Sequence, residues 1–113
     1  RADFVINTGG VKVFPEKVER QIAPLMQQHA PGRSFFVHGY AHDTWGQQVT
    51  LVVEGVALPT DTEVLLENSF RGCLTRFEIP RAFKYAVNFV EAANAKINRP
   101  ATAALASPSP LSN

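Results

Sequence analysis

Arg1-Ala-Asp-Phe-Val-Ile-Asn-Thr-Gly-Gly-Val-Lys-Val-Phe-Pro-Glu-Lys-Val-Glu19 is the stretch that decides the fold. Two short apolar runs, Phe4 to Ile6 and Val11 to Phe14, flank Asn7-Thr8-Gly9-Gly10. The two glycines supply the positive φ that a tight hairpin turn needs. Pro15 and Glu16 then open an amphipathic helix, because a proline sacrifices no helix hydrogen bond in the first turn and a carboxylate there meets the positive end of the helix dipole. The expectation is a hairpin over 4–14 followed at once by a helix.

Outward from that stretch, Val18, Ile22, Leu25 and Met26 fall on one face of a helix predicted from Pro15 to Gln28. Glu19, Arg20 and Gln27 lie on the other, Pro24 should kink or loosen it, and His29-Ala-Pro-Gly32 ends it. Ser34 to Tyr40 and Gln47 to Glu54 read as strands, the second with Val49, Leu51 and Val53 on one well-buried face, and they are expected to pair antiparallel. Thr60-Asp-Thr-Glu63 has the form of a capping box. It opens a second helix whose apolar stripe is Leu66, Phe70, Cys73, Leu74 and Phe77, ended by Pro80. Phe83, Tyr85 and Val87 alternate with polar or small residues as a third core strand. Glu91 to Arg99 reads as an exposed polar loop, Pro100 starts a short alanine-rich helix ending before Ser107, and 107–113 is expected to be a disordered tail. The element order defines an α+β domain.

At 113 residues, 45% hydrophobic and 19% charged, the chain is expected to be one domain with a modest core. A formal charge of +1 offers no electrostatic basis for binding nucleic acid or a membrane surface. No apolar run approaches the roughly 20 residues of a membrane span, and no signal peptide is visible. The single cysteine, Cys73, cannot form an internal disulfide, so a reducing, cytoplasmic setting is expected, and its place on the apolar stripe assigns it to packing. His29, His38 and His42 lack ligand-pair spacing and an accompanying cysteine cluster, so no metal site is expected. No nucleophile, base and orienter constellation is visible.

Taken singly, the remaining distinctive residues have ordinary readings. Gly9-Gly10 is a tight turn that matches no phosphate-binding loop, Asp3 a solvated or capping carboxylate, Trp45 and Phe77 core aromatics, and Lys96 a solvated loop lysine. As an ordered set they resemble something more specific. The Arg-x-Asp opening, the Gly-Gly turn with a following basic residue, and Pro15-Glu-Lys-Val-Glu19 resemble the start of the C-terminal domain of acyl-adenylate-forming enzymes. That family includes the AMP-forming acyl-CoA synthetases, nonribosomal adenylation domains and firefly luciferase. Asp43-Thr-Trp-Gly-Gln-Gln-Val-Thr50 is similar to its Asp-x-x-x-Gly-x-x-Val segment. Phe77-Glu-Ile-Pro80, an aromatic strand and then Asn94-Ala-Lys-Ile-Asn-Arg99 resemble its closing pattern. The resemblance covers about residues 1–102. The chain departs from it at Ala95, where a glycine often precedes the lysine, and at Phe4, where an acidic residue usually follows the hinge.

The resemblance implies an N-terminal β-hairpin followed by a small α/β lid domain with a three-stranded core sheet and flanking helices, over 1–106. It implies Lys96 as the catalytic lysine of acyl-AMP formation, Asp3 as the hinge, and Arg1 at the ribose of ATP or AMP. Gly9 and Gly10 would flank the pantetheine arm of CoA, with Trp45 and Phe77 at its nucleotide end. ATP and Mg2+ would be held chiefly by a large N-terminal domain absent from this chain, and the other substrates would be CoA and a small carboxylic acid. Because the motifs begin at Arg1 and the single methionine is Met26, an upstream portion is expected. Among subfamilies, Ile6-Asn-Thr-Gly-Gly-Val-Lys-Val13 and Lys96-Ile-Asn-Arg99 most resemble 2-succinylbenzoate:CoA ligase of menaquinone synthesis. Two alternatives stay open: the lid of a non-CoA adenylating or carrier-loading enzyme, and a non-catalytic interaction module whose pattern reflects packing alone.

Overall fold

The computed structural model describes residues 5–92 and 96–108. Strands β1 (Ile6–Thr8) and β2 (Val11–Val13) form the hairpin, and helix α1 (Pro15–His29) follows. Next come β3 (Phe35–His42), β4 (Gly46–Glu54), α2 (Thr60–Phe70), β5 (Ala82–Ala86), α3 (Arg99–Leu105) and β6 (Ser107–Pro108). The expected α+β class holds, as a mixed sheet with three helices.

The sheet is built around β4. It pairs antiparallel with β3 from Phe35–Val53 to His42–Gly46, and parallel with β5 from Thr50–Ala82 to Glu54–Ala86. The hairpin joins through the single pair Thr8–Gly46, and β6 adds to β5 at Lys84–Pro108 and Tyr85–Ser107. Thus the three expected core strands are present, but they belong to one larger sheet in which hairpin and core are continuous. The tail expected from residue 107 begins instead with two strand residues; 109–113 lie outside the described residues.

Alternation along β4 separates two cores. Val37, Val49, Leu51 and Val53 join Val18, Ile22 and Met26 of α1 and Leu66 and Phe70 of α2. On the opposite face Phe36 and Val52 pack with Ala103 of α3, so β4 is buried on both faces. The hairpin is held down where Ile6 lies on Gly39: a Cβ built on Gly39 would stand 2.8 Å from the Ile6 side chain.

Several local expectations are corrected. Helix α1 runs unbroken through Pro24, which faces solvent, where the carbonyl left without its amide partner can be hydrated. Val18, Ile22 and Met26, all buried, hold the opposite face. Glu19, expected on the solvent side, has a side chain only 15% exposed and pairs with Arg99. Helix α2 stops at Phe70, whose carbonyl accepts from the amides of both Cys73 and Leu74 in a turn. Leu74 still reaches the core, whereas Cys73 is exposed and does not serve the packing role expected of it. Strand β5 ends at Ala86, leaving Val87 exposed.

Nor does the capping box form. The residue before α2 is Pro59, without a side-chain cap, and the Glu63 carboxylate turns inward to accept a hydrogen bond from the Tyr85 hydroxyl. Both residues are buried. Burial, followed by that hydrogen bond to Glu63, pushes the Tyr85 phenol well above its ordinary pKa. Tyr85→Phe would leave a buried carboxylate without this donor, and is expected to cost about 1–3 kcal/mol in urea unfolding of the chain. Tyr85→Phe with Glu63→Leu should recover most of that loss, because neither polar group is then stranded.

Candidate functional site

The hairpin turn rests on an aromatic platform. Gly9 and Gly10 have φ of 57° and 82°, and the Gly9 amide donates to the Trp45 carbonyl at 2.9 Å. A Cβ on Gly9 would lie 3.2 Å from Trp45 Cε3 and 3.4 Å from Phe77 Cε1, whereas one on Gly10 would meet nothing within 4 Å. Gly9 is therefore required both by backbone conformation and by close approach, Gly10 by conformation alone. The Asn7 amide also donates to Gln47 Oε1 at 2.8 Å, which ties the hairpin to the start of β4.

Each aromatic has its own support. His42 Nδ1 accepts from the amides of Thr44 and Trp45 at 3.1 and 3.2 Å, closing the turn that presents the indole. Behind Phe77, Glu78 accepts from Lys17 Nζ at 3.0 Å and from the Thr75 amide at 3.1 Å. Burial alone would raise the Glu78 pKa, but the bonds from Thr75 and Lys17 outweigh it and hold the carboxyl below its ordinary value. Both rings remain half-buried.

Two guanidinium groups border this platform: Arg81 lies 4.8 Å from the Trp45 ring centroid and Arg76 5.2 Å from that of Phe77. Beside them a cleft of about 210 Å3 is lined by Glu67, Arg71, Arg76, Ile79 and Arg81. Half-buried rings with guanidinium groups over them suit a flat ligand carrying anionic groups, such as a nucleotide. The sequence reading missed Arg76 and Arg81. Their signal was present in the basic residues that flank Phe77-Glu-Ile-Pro80 on either side.

The second candidate region is the loop after β5. Its base is closed by Glu91 paired with Ile97, by the Ala92 amide to the Lys96 carbonyl at 2.6 Å, and by the Asn98 amide to the Val90 carbonyl at 2.7 Å. Thr102 Oγ1 accepts from the Val90 amide at 3.0 Å, and Asn98 Oδ1 caps α3 by accepting from the Ala101 amide at 3.1 Å. Lys96 is exposed.

The structure brings Gly9, Trp45 and Phe77 together, with Gly10 in the same turn, and does not bring Lys96 to them. The hairpin meets β4 at Gly46, its first residue, whereas the Phe89 amide donates to Glu54, its last, at 3.0 Å. Arg1, assigned to the nucleotide ribose, and Asp3, assigned as hinge, lie outside the described residues. Among the described residues no group of three or more histidine, cysteine, aspartate or glutamate side chains could hold a metal ion. Among them too, no helix is long and apolar enough to cross a membrane.

The chain matches no protein-family model and no curated protein sequence. Its fold does recur in solved structures. It is similar to an acyl-CoA synthetase (AMP-forming)/AMP-acid ligase II-like protein from Dyadobacter fermentans, at 31% identity and a TM-score of 0.82, over 92% of this chain and 29% of that one. A fatty acyl CoA synthetase of Mycobacterium tuberculosis matches at 22% identity and 0.71, over 89% and 19%. The o-succinylbenzoate CoA synthetase of Bacillus subtilis matches at 17% and 0.73, over 96% and 22%. These neighbours are AMP-forming acyl-CoA synthetases and related acid ligases, and the chain spans less than a third of the length of each.

The contrast between the two turn glycines is measurable. Gly9→Ala forces a side chain into a left-handed conformation and against Trp45, and is expected to cost about 1–2 kcal/mol of stability for the conformation alone. Gly10→Ala carries the conformational cost without the contact. Since Trp45 is the only tryptophan, its fluorescence should shift in Gly9→Ala and stay as in the parent chain in Gly10→Ala. Equal spectra for the two variants would mean that the turn does not crowd the indole.

Proposed function

We propose that the chain is the C-terminal lid domain of an ATP-dependent, AMP-forming acyl-acid:CoA ligase. The observation that carries this reading is the match to the Dyadobacter ligase-like protein, which extends over nearly the whole chain at 31% identity. The ordered motifs ending in Lys96-Ile-Asn-Arg99 agree with it. The complete enzyme joins a carboxylate to the α-phosphate of ATP, releasing pyrophosphate, and CoA then displaces AMP from the acyl-AMP to give a thioester. This domain contributes side chains to each half-reaction and is inactive alone.

In the first half-reaction two anions meet and negative charge builds at phosphorus. Lys96, exposed on its loop, supplies an ammonium group that reaches both oxygens. Arg1 contacts the nucleotide ribose, and Asp3 is the pivot about which the domain turns between half-reactions. In the second, the Gly9-Gly10 turn flanks the pantetheine arm, and Trp45 and Phe77 receive the nucleotide of CoA beside Arg81 and Arg76. Mg2+ and most of the ATP contacts belong to the larger N-terminal domain. The setting is cytoplasmic. The substrate we favour is 2-succinylbenzoate, which would place the enzyme in menaquinone synthesis; it rests on the two stretches that resemble that subfamily.

Lys96→Ala in the full-length enzyme tests the reading, with carboxylic acids including 2-succinylbenzoate. Pyrophosphate release should fall by roughly 10²-fold or more, the scale of losing one preorganised charge at a developing anion. Thioester formation from synthetic acyl-AMP should stay near wild type. A first rate that survives the substitution would make Lys96 an ordinary solvated lysine. For the pivot, Asp3→Pro fixes φ and should depress the two half-reactions very unequally; equal depression in a folded protein would exclude a hinge there.

A further inference from the structure

The Lys96 loop begins on apolar ground, where Phe89 packs edge-on against Phe36 with ring centroids 5.3 Å apart. Between the lysine and α3 the one large apolar side chain is Ile97, and that is 36% exposed. Polar contacts anchor this end of the loop, and the strongest lies three residues beyond the lysine. Arg99 Nη1 donates to Glu19 Oε2 at 2.6 Å and Nη2 to Glu19 Oε1 at 2.8 Å, a two-pronged pair whose side chains are 17% and 15% exposed. Glu19 Oε2 also accepts from the Val37 amide at 2.8 Å, and the Arg99 guanidinium stands 5.5 Å from the Phe36 ring centroid. Three elements therefore converge on this pair: the loop end at Arg99, α1 at Glu19, and β3 through the Val37 amide and the Phe36 ring. The hydrogen bonds that Arg99 donates to Glu19 outweigh burial and raise the Arg99 pKa further.

We infer that the Glu19–Arg99 pair is the device that positions Lys96, fixing the C-terminal end of its loop against α1 and β3. Glu19 and Arg99 are on this view positioning residues for acyl-AMP formation. The inference rests on the proposed function, since Lys96 must be the group that acts. A largely buried ion pair adds little net stability compared with apolar packing, whereas two parallel N–H···O bonds fix both distance and plane. The loop backbone is then carried in one direction from a rigid base. Asn98, between the lysine and the arginine, is held at the same time to Val90 and to the start of α3. Misplacing a reacting group by about 1 Å can cost on the order of 10²-fold in rate.

The test uses the full-length enzyme, the acid it turns over, and both half-reactions. Arg99→Ala and Glu19→Gln should each cut pyrophosphate release by about 10-fold to 10²-fold. Thioester formation from preformed acyl-AMP should remain within about threefold of wild type, and Arg99→Lys, which keeps charge but loses the fork, should fall between. The decisive comparison is in the Lys96→Ala background, where adding Arg99→Ala should lower pyrophosphate release by no more than about twofold, because a residue that acts through Lys96 has nothing left to position.

Equal loss in both half-reactions, or a loss that persists in the Lys96→Ala background, would make the pair a structural tie and overturn the inference. Should Arg99→Ala fail to fold, Glu19→Gln answers the same question, as it keeps the size of Glu19 and an oxygen for the Val37 amide. If Lys96→Ala leaves pyrophosphate release intact, the proposed function fails and this inference with it. If Lys96→Ala reduces it and neither Arg99→Ala nor Glu19→Gln does, the inference fails alone.

Discussion

Strand β4 has partners on both edges and on both faces. Its backbone pairs with β3 from Gly46 to Val53 and with β5 from Thr50 to Glu54, and Val49, Leu51, Val52 and Val53 bury side chains on both faces. Much of the architecture follows from that demand. A parallel partner cannot be reached by a hairpin, so the chain must leave β4, cross over as α2 and return as β5. One sheet face is covered by α1 and α2 through Val18, Ile22, Leu66 and Phe70. The other would expose Phe36 and Val52 if α3 did not lay Ala103 against them. The Tyr40 hydroxyl donates to the Ala103 carbonyl at 2.8 Å, which sets the height of α3 over the sheet. The last short strand, Ser107–Pro108, then closes part of the β5 edge.

Features set by local chemistry were legible in the sequence. The positive-φ glycines of the turn, the Pro15 helix start, the antiparallel pairing of the two central strands and the late helix behind Pro100 all depend on neighbours a few residues apart. What was not legible depends on partners far away in the chain. Glu63 has the spacing of a capping residue, yet Tyr85, 22 positions later, claims its carboxylate. Glu19 sits on what periodicity marks as a solvent face because its partner, Arg99, is 80 positions distant. The apolar stripe that runs on to Cys73 and Phe77 has helical spacing without a helix, since a turn carries Leu74 into the core and leaves Cys73 in solvent. In the candidate site, the grouping of Gly9, Trp45 and Phe77 followed from ordered motifs, whereas the two arginines beside the rings appeared only with the fold.

The two candidate regions differ in how they are held. Gly9 lies against the rings of Trp45 and Phe77, and its amide bonds to the Trp45 backbone, so this surface is stiffened by packing. The Lys96 loop packs Phe89 against Phe36 where it leaves β5, and beyond that it is closed by backbone hydrogen bonds, Thr102, Asn98 and the Glu19–Arg99 pair. Packing suits a surface that presents aromatic faces to a ligand, where any slack would weaken each contact.

Their separation carries a further constraint. The hairpin meets β4 at Gly46 and the lysine loop is tied to it at Glu54, the two ends of a nine-residue strand. Extended strand rises about 3.3 Å per residue, so those anchors are about 26 Å apart. The far end of the lysine loop is tied elsewhere, through Arg99 to Glu19 of α1 and from there to the Val37 amide, opposite Leu51 in the middle of β4. Bending the domain would break β4, the strand on which both cores depend. Under the proposed function the glycine turn and the lysine loop therefore move as parts of one unit, and a rigid sheet turned about a point outside it can serve two chemical steps in succession without changing any contact of its core.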